Sequence, residues 1–297
     1  MPNPVLLAAA RSRRMRRLVT ALPPSRRVVD RFVAGDDLDS AIAVVRSLVA
    51  GGITVTLDHL GEHTLDEEQA RRTRDAYLRL ISALDDLGLA EGADVSVKLS
   101  ALGQALPGRP DLDHARHICA AATRTGMTVT LDMEDHTTVD STLETHSELR
   151  ADFPETGIAI QAMLRRSEND LRDLADARVR LVKGAYDEPS SVAHRNRRDI
   201  DRAYVRGLRI LMNGRGYPMI ATHDPRLIEI AAALGRDRPY EFQMLYGIRV
   251  AEQRRLAKSH RMRVYVPYGA DWYGYLMRRL AERPANLAFF LRALVTR

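Results

Sequence analysis

Charged and amide side chains recur at one kind of place in this chain, at the end of short β-branched, apolar runs. Lys98 and Ser100 close one such run, Asp132, Met133 and Glu134 another, and Arg180, Lys183, Gly184 and Ala185 a third. Others end on Asp58-His59, Gln161, Thr222-His223-Asp224, Gln243 and Tyr265. Lys98, Arg180 and Lys183 are expected to converge with Arg278 and Arg279 from a late helix. Such a cationic face suits a carboxylate, a phosphate or both. Asp132 supplies a compensating charge, which buried cations need because unpaired burial is costly. Gly184-Ala185 allows a ligand close to the backbone. Gln161 and Gln243 offer amide groups to the rim of a flat heterocycle.

Other chemistries fit less well. Lys98 could form a Schiff base, but the cations around it read better as a binding arrangement. His59, His63 and His223 with Asp58, Asp132 and Asp224 could form a metal-hydrolase centre. No His-x-His follows the first apolar run, and the histidines are scattered, so no metal is expected. No G-x-S-x-G elbow occurs. Paired carboxylates of the glycosidase kind stay open, although Trp272 is the single tryptophan.

The elements that must position these groups alternate. Apolar runs at 53–57, 94–99, 127–133, 157–163, 178–183, 219–223, 241–245 and 263–267 read as strands covered on both faces. Helical patterns at 66–87, 111–125, 138–150, 168–177, 191–213, 225–234, 249–259 and 272–283 separate them. Gly51-Gly52, Gly126 and Gly214 suit left-handed helix caps, and Pro225 suits a first helical turn. Eight β/α units predict an α/β chain folded as a closed (β/α)8 barrel, with reactive groups at the C-terminal strand ends. A single polar strand end facing water needs no explanation, whereas eight together favour an enzyme. No G-x-G-x-x-G or P-loop supports an open nucleotide-binding sheet. Helices at 5–22, 26–34 and 41–50 are expected to cover the barrel bottom, and 285–295 to form a last helix. The division expected is one catalytic domain over 1–297, with N-terminal helices in 1–50 and the barrel and final helices in 51–297.

Composition bounds the partners. The 297 residues are 45% hydrophobic, and Cys119 is the one cysteine, so no internal disulfide forms. A reducing, cytoplasmic setting fits, and no apolar run is long enough to span a membrane. The first 29 residues are Arg-rich and lack acid, which reads as a basic amphipathic helix in preference to a transit peptide. The net charge is +6. With aromatics at 5% and none beside Arg11–Arg17, nucleic acid is not an expected partner. Peripheral docking on an anionic membrane face stays open.

Four segments carry a resemblance: Arg180-Leu-Val-Lys-Gly-Ala-Tyr-Asp-Glu-Pro189, Tyr240-Glu-Phe-Gln-Met-Leu-Tyr-Gly247, Tyr265-Val-Pro-Tyr-Gly269 and Tyr275-Leu-Met-Arg-Arg-Leu280. Val97-Lys-Leu-Ser100, Leu131-Asp-Met-Glu134, Ile160-Gln-Ala162 and Ala221-Thr-His223 add to it. In this order the chain resembles proline dehydrogenases of the short, monofunctional bacterial type. The resemblance implies a distorted (β/α)8 barrel that binds FAD at the strand C-terminal ends. It implies oxidation of L-proline to Δ1-pyrroline-5-carboxylate by hydride transfer from the ring carbon beside nitrogen to flavin N5. This begins proline catabolism to glutamate, and the electrons pass to a membrane quinone.

It also implies roles. Arg278 and Arg279 would hold the proline carboxylate with Lys98, and Asp132 would orient this basic cluster. Tyr265 would pack on the proline ring, and Arg180 would face the flavin near N5. Met133, Gln161, Lys183, Gly184 and Ala185 would line the flavin. Thr222 and His223 would take its ribityl-phosphate or adenine side, and Glu62 would pair with Arg278 as a gate. Arg278 and Arg279 are helix neighbours ~100° apart, so both reach one carboxylate only through long side chains. Asp187 stands where bifunctional members carry an aromatic residue, so their flavin contacts do not transfer directly. The length leaves no room for their aldehyde dehydrogenase or DNA-binding regions, and no transcriptional role is expected.

Overall fold

Eight parallel strands close on themselves in sequence order. A computed structural model describes residues 29–62 and 64–282, the last five by backbone alone. The strands are β1 (Thr54–His59), β2 (Asp94–Val97), β3 (Thr128–Leu131) and β4 (Gly157–Gln161), then β5 (Arg178–Val182), β6 (Tyr217–Ala221), β7 (Glu241–Leu245) and β8 (Arg261–Tyr268). Closure comes from β1 on β8, with Thr54 opposite Arg263 and His59 opposite Tyr268. Lengths from four to eight residues make the barrel uneven.

The helices are α1 (Leu38–Ala50), α2 (Glu67–Asp86), α3 (Pro110–Arg124), α4 (Val139–Asp152), α5 (Ser167–Asp173) and α6 (Arg197–Asn213). Then come α7 (Pro225–Leu234), α8 (Val250–Ala257) and α9 (Trp272–Glu282). Asp37 caps α1 by accepting from Ser40 N–H at 2.9 Å, and Asp66 caps α2 by accepting from Gln69 N–H at 2.8 Å. Pro225 opens α7 behind its cap, Asp224. Each cap accepts one of the N–H groups that a helix start leaves unpaired.

The strands are not apolar on both faces. Successive side chains alternate, and Val55, Leu57, Val95, Val97, Val129, Leu131, Val179, Leu181, Val264 and Val266 belong to the main apolar core. The intervening Thr56, Asp58, Asp94, Ser96, Thr130, Arg180, Glu241, Gln243 and Arg263 are buried too. These polar groups bond to one another across strands, which lets a barrel interior hold charge.

Three further expectations are corrected. Residues 29–35, before α1, lie at the C-terminal strand ends, not at the bottom. Ala34 N–H donates to Pro267 O at 2.8 Å and Gly269 N–H to Gly35 O at 2.9 Å. Val29, Phe32 and Val33 pack with Leu60, Trp272, Tyr273 and Leu276 in a second apolar cluster there. The segment 5–22 and the helix 285–295 lie outside the described residues. Next, α6 starts at Arg197 rather than at 191, because residues 192–194 bond to the loop after β4. Arg165 N–H donates to Val192 O at 2.9 Å, and His194 N–H to Met163 O at 2.8 Å. Last, Gly52 and Gly126 have the positive φ of left-handed caps, whereas Gly51 has φ −86° and Gly214 is extended at φ −77°, ψ −177°. Glycine is needed at 214 for proximity, since a Cβ there would meet Ala175 O at 2.2 Å.

Candidate active site

The alternation that sends Val97 outward carries Lys98, just beyond β2, into the barrel mouth. Lys98 Nζ lies 2.8 Å from both oxygens of Asp58 and 3.3 Å from Asp132 Oδ2. The Tyr265 hydroxyl is 3.5 Å from Lys98 Nζ and donates to Asp132 Oδ2 at 2.8 Å. Arg180 enters from β5: Nε donates to Gln243 at 2.7 Å, and Nη1 to Ser96 at 2.6 Å and Asp132 Oδ1 at 2.8 Å. Its Nη2 donates to Asp94 at 3.1 Å, and its guanidinium stands 5.4 Å from the Tyr265 ring centroid.

Deeper down, Gln243 donates to Glu241 at 2.7 Å, and Glu241 takes two bonds from Arg263. A carboxylate only accepts and a guanidinium only donates, so the Gln243 amide between them has one satisfying orientation. Asp94 also accepts from Thr56, Thr128 and Thr130.

Burial works against charge on these groups, and partners outweigh it. Burial would lower the Lys98 pKa, but Asp58, Tyr265 and Asp132 hold it well above the usual lysine value. Burial would raise Asp132, but Lys98 and Arg180 keep it below the ordinary carboxylate range. Tyr265 is pushed well up by burial and then by Asp132 and Asp58, so it stays a neutral phenol. Among these described side chains three carboxylates, Asp58, Asp94 and Asp132, face two cations, Lys98 and Arg180.

Lys183 does not join this cluster, contrary to expectation. It pairs with Asp201 at 2.5 Å and Asp224 at 3.1 Å, and Arg226 and Arg197 reach Asp224 as well. Burial would raise the Asp224 pKa, but Arg226 and Lys183 hold it well below the carboxylate range. Three cations and two carboxylates thus sit at the ends of β5 and β6. Beside them Gly184 has φ +109°, and a Cβ on it would meet Met163 at 2.5 Å, so only glycine brings the backbone past that side chain. Thr222 is buried and accepts from Asp224 N–H at 3.1 Å. His223 Nε2 accepts from Leu245 N–H at 3.0 Å.

Met133 and Gln161 are buried, and Gln161 donates to Glu134 O at 2.7 Å. Glu134 accepts from Ser100 N–H at 3.1 Å and its hydroxyl at 2.7 Å. Glu188, from the loop after β5, accepts from His136 N–H at 2.9 Å and pairs with His136 Nδ1. Ala185 and Glu62 are half-buried. Arg278 and Arg279 fall in α9, but their side chains, and hence the Glu62–Arg278 gate, lie outside the described residues, as does His63. Among the described residues no group of three or more His, Cys, Asp or Glu could hold a metal. His59 packs edge-on against Tyr77 and Tyr268.

Sequence reasoning missed Asp58 and Asp94 as partners of Lys98 and Arg180, and Glu134, His136 and Glu188 as ties between loops. For Asp58 and Asp94 a signal existed: both share the two-residue period of the inward Thr56, Ser96 and Lys98.

Known proteins share both the sequence and the fold. A family model described as proline dehydrogenase matches residues 41–292. Proline dehydrogenase 1 of Bacillus subtilis (strain 168) is 38% identical over 273 residues, 89% of this chain and 90% of that protein. The proline dehydrogenase of Deinococcus radiodurans is 40% identical over 282 residues, 90% of each chain. Among solved structures, proline utilization A from Bdellovibrio bacteriovorus, inactivated by N-propargylglycine, superposes with a TM-score of 0.80 at 27% identity. That match covers 87% of this chain and 33% of the other.

Proposed function

The chain belongs to the proline dehydrogenase family and matches bacterial members over most of their length, and we propose that it oxidises L-proline to Δ1-pyrroline-5-carboxylate with FAD. The observation that carries this reading is the barrel-mouth cluster of Lys98, Asp132, Tyr265 and Arg180 beside a separate cationic rim at Lys183. The first suits a small amino acid carboxylate, the second a diphosphate.

The donor set fits FAD. Apolar Met133 and Ala185, the Gln161 amide and the Gly184 backbone suit a flat heterocycle with polar edges. Lys183, Arg197 and Arg226 exceed Asp201 and Asp224 by one charge, which suits a diphosphate with Thr222 and His223 alongside. FAD, when bound, supplies the hydride acceptor.

The chain's own residues do the rest. Lys98, kept cationic by Asp58 and Asp132, holds the proline carboxylate with Arg278 and Arg279. Asp132 already accepts from Ser96, Arg180, Lys98 and Tyr265, so it orients these groups and does not take a proton. Tyr265 offers its ring as a wall to the proline ring. Arg180 would hold fixed positive charge near a bound flavin, which would favour its reduced form. Glu62 closes over the substrate with Arg278. A membrane quinone would be the electron acceptor, reached by a cytoplasmic or peripherally docked enzyme. Among the described residues no helix is long and apolar enough to cross a membrane.

The test is anaerobic titration of the purified protein with L-proline, followed by visible absorbance. Bleaching by L-proline and not by D-proline supports the cofactor and the substrate together. A flavin spectrum that ignores L-proline overturns the substrate, and a chain that takes up no FAD overturns the cofactor.

A further inference from the structure

Side chains and backbone tie the loops after β2 to β5 into a belt, mostly neighbour to neighbour. Ser100 joins Glu134, Gln161 joins the Glu134 carbonyl, and Met163 N–H donates to Lys183 O at 2.9 Å. One tie passes over a strand. His136 follows β3 and Glu188 follows β5, so their contact bridges the end of β4.

Glu188 is only 5% exposed although it sits in a loop. Burying a carboxylate is costly unless its oxygens are satisfied, and here both are engaged. Oε1 accepts from His136 N–H at 2.9 Å, and Oε2 pairs with His136 Nδ1. The carboxylate has only lone pairs to offer, so Nδ1 carries the hydrogen. Arg195 fastens the same loop by donating to Glu188 O and Asp187 Oδ1, each at 3.0 Å.

We propose that Glu188 is a positioning residue for the flavin. By gripping His136 it holds the β3 loop, which carries Met133, against the β5 loop, which carries Lys183, Gly184 and Ala185. Residues on both loops line the cofactor in the reading above, on which this inference rests. Loops that are already fixed spend no binding energy on being ordered. Without the grip both loops gain conformers, and the cofactor must select one.

Two variants separate grip from charge. E188A removes both bonds. E188Q keeps them in neutral form: its amide oxygen accepts from His136 N–H, and its NH2 donates to Nδ1 of the other imidazole tautomer. Flavin-free protein is titrated with FAD, and quenching of FAD fluorescence gives the dissociation constant.

E188A is expected to raise that constant about tenfold or more, the scale of one to two lost hydrogen bonds. E188Q is expected to stay within about threefold of the native chain. Native affinity in E188A overturns the proposal, as does an E188Q variant as weak as E188A, which would make charge the agent. Should E188A fail to fold, H136A, which keeps the backbone bond and loses the ring contact, carries the same test. A native chain that binds no FAD overturns the flavin reading and this one with it. A native chain that binds FAD beside an E188A or H136A variant that binds it equally overturns the grip alone.

Discussion

Tyr265 and Asp132 stand 133 residues apart in the chain, yet the phenol donates to the carboxylate at 2.8 Å across the barrel mouth. The bond joins the end of β3 to β8 and leaves the Tyr265 ring beside Lys98 and Arg180. A hydrogen bond to a charged acceptor contributes ~1.5–3 kcal/mol. Tyr265→Phe keeps the ring and loses the bond, so kcat/KM for L-proline should fall ~10- to 100-fold at that energy. Steady-state kinetics with an artificial electron acceptor measures it. An unchanged ratio would show that the hydroxyl's bond to Asp132 contributes nothing to turnover.

Lys98 and Asp58 form a buried pair, and breaking one side leaves the other charge alone. Lys98→Met should lower folding stability by ~3–5 kcal/mol, and the double variant Lys98→Met/Asp58→Asn should recover most of that loss. Urea unfolding of the four proteins gives the coupling. Losses that simply add would mean that the two groups do not depend on each other.

Gly184 is required twice over, by its φ of +109° and by Met163, which a Cβ would meet at 2.5 Å. Gly184→Ala should cost ~1–3 kcal/mol from the backbone alone. Adding Met163→Ala relieves the clash and not the φ, so only part of the melting temperature should return. Full recovery would show that contact, not conformation, fixes the glycine.

His146 supplies a pH dependence remote from the site. Burial holds its pKa down to about 4, and its Nε2 meets Thr156 O at 3.1 Å. Its folded pKa is therefore below the unfolded value of ~6.5. Above that value the unfolded state takes up no extra proton, and no stability is lost. As pH falls towards 4 the unfolded chain binds the proton first, and stability drops by up to ~3 kcal/mol. His146→Gln should flatten this part of the curve. Urea midpoints between pH 7 and 4 check it, and parallel curves for both proteins would exclude His146 as the source.

Much of the architecture was legible along the chain. The eight runs at 53–57 through 263–267 each overlap an observed strand, since β-branched residues bounded by turn signals identify a strand by local chemistry. Strand ends were misread by a few residues, as at β6, where Tyr217 N–H bonds to Ala177 O at 2.9 Å and pulls the start forward. Lys98, Asp132, Arg180 and Tyr265 were legible as strand-end groups, because the barrel puts such ends on one face.

What the sequence determined by itself was therefore the order of elements, the face that carries the chemistry and the type of each polar group on it. Only the tertiary structure decided which groups meet. Lys98 was expected beside Lys183. Closure of the barrel instead brings Lys98 to Asp58 and Tyr265 and gives Lys183 to Asp201 and Asp224. Local sequence sets a residue's inward or outward direction through the two-residue repeat. Partners across the lumen come from strands far apart in the chain, and their choice depends on the stagger at which the sheet closes.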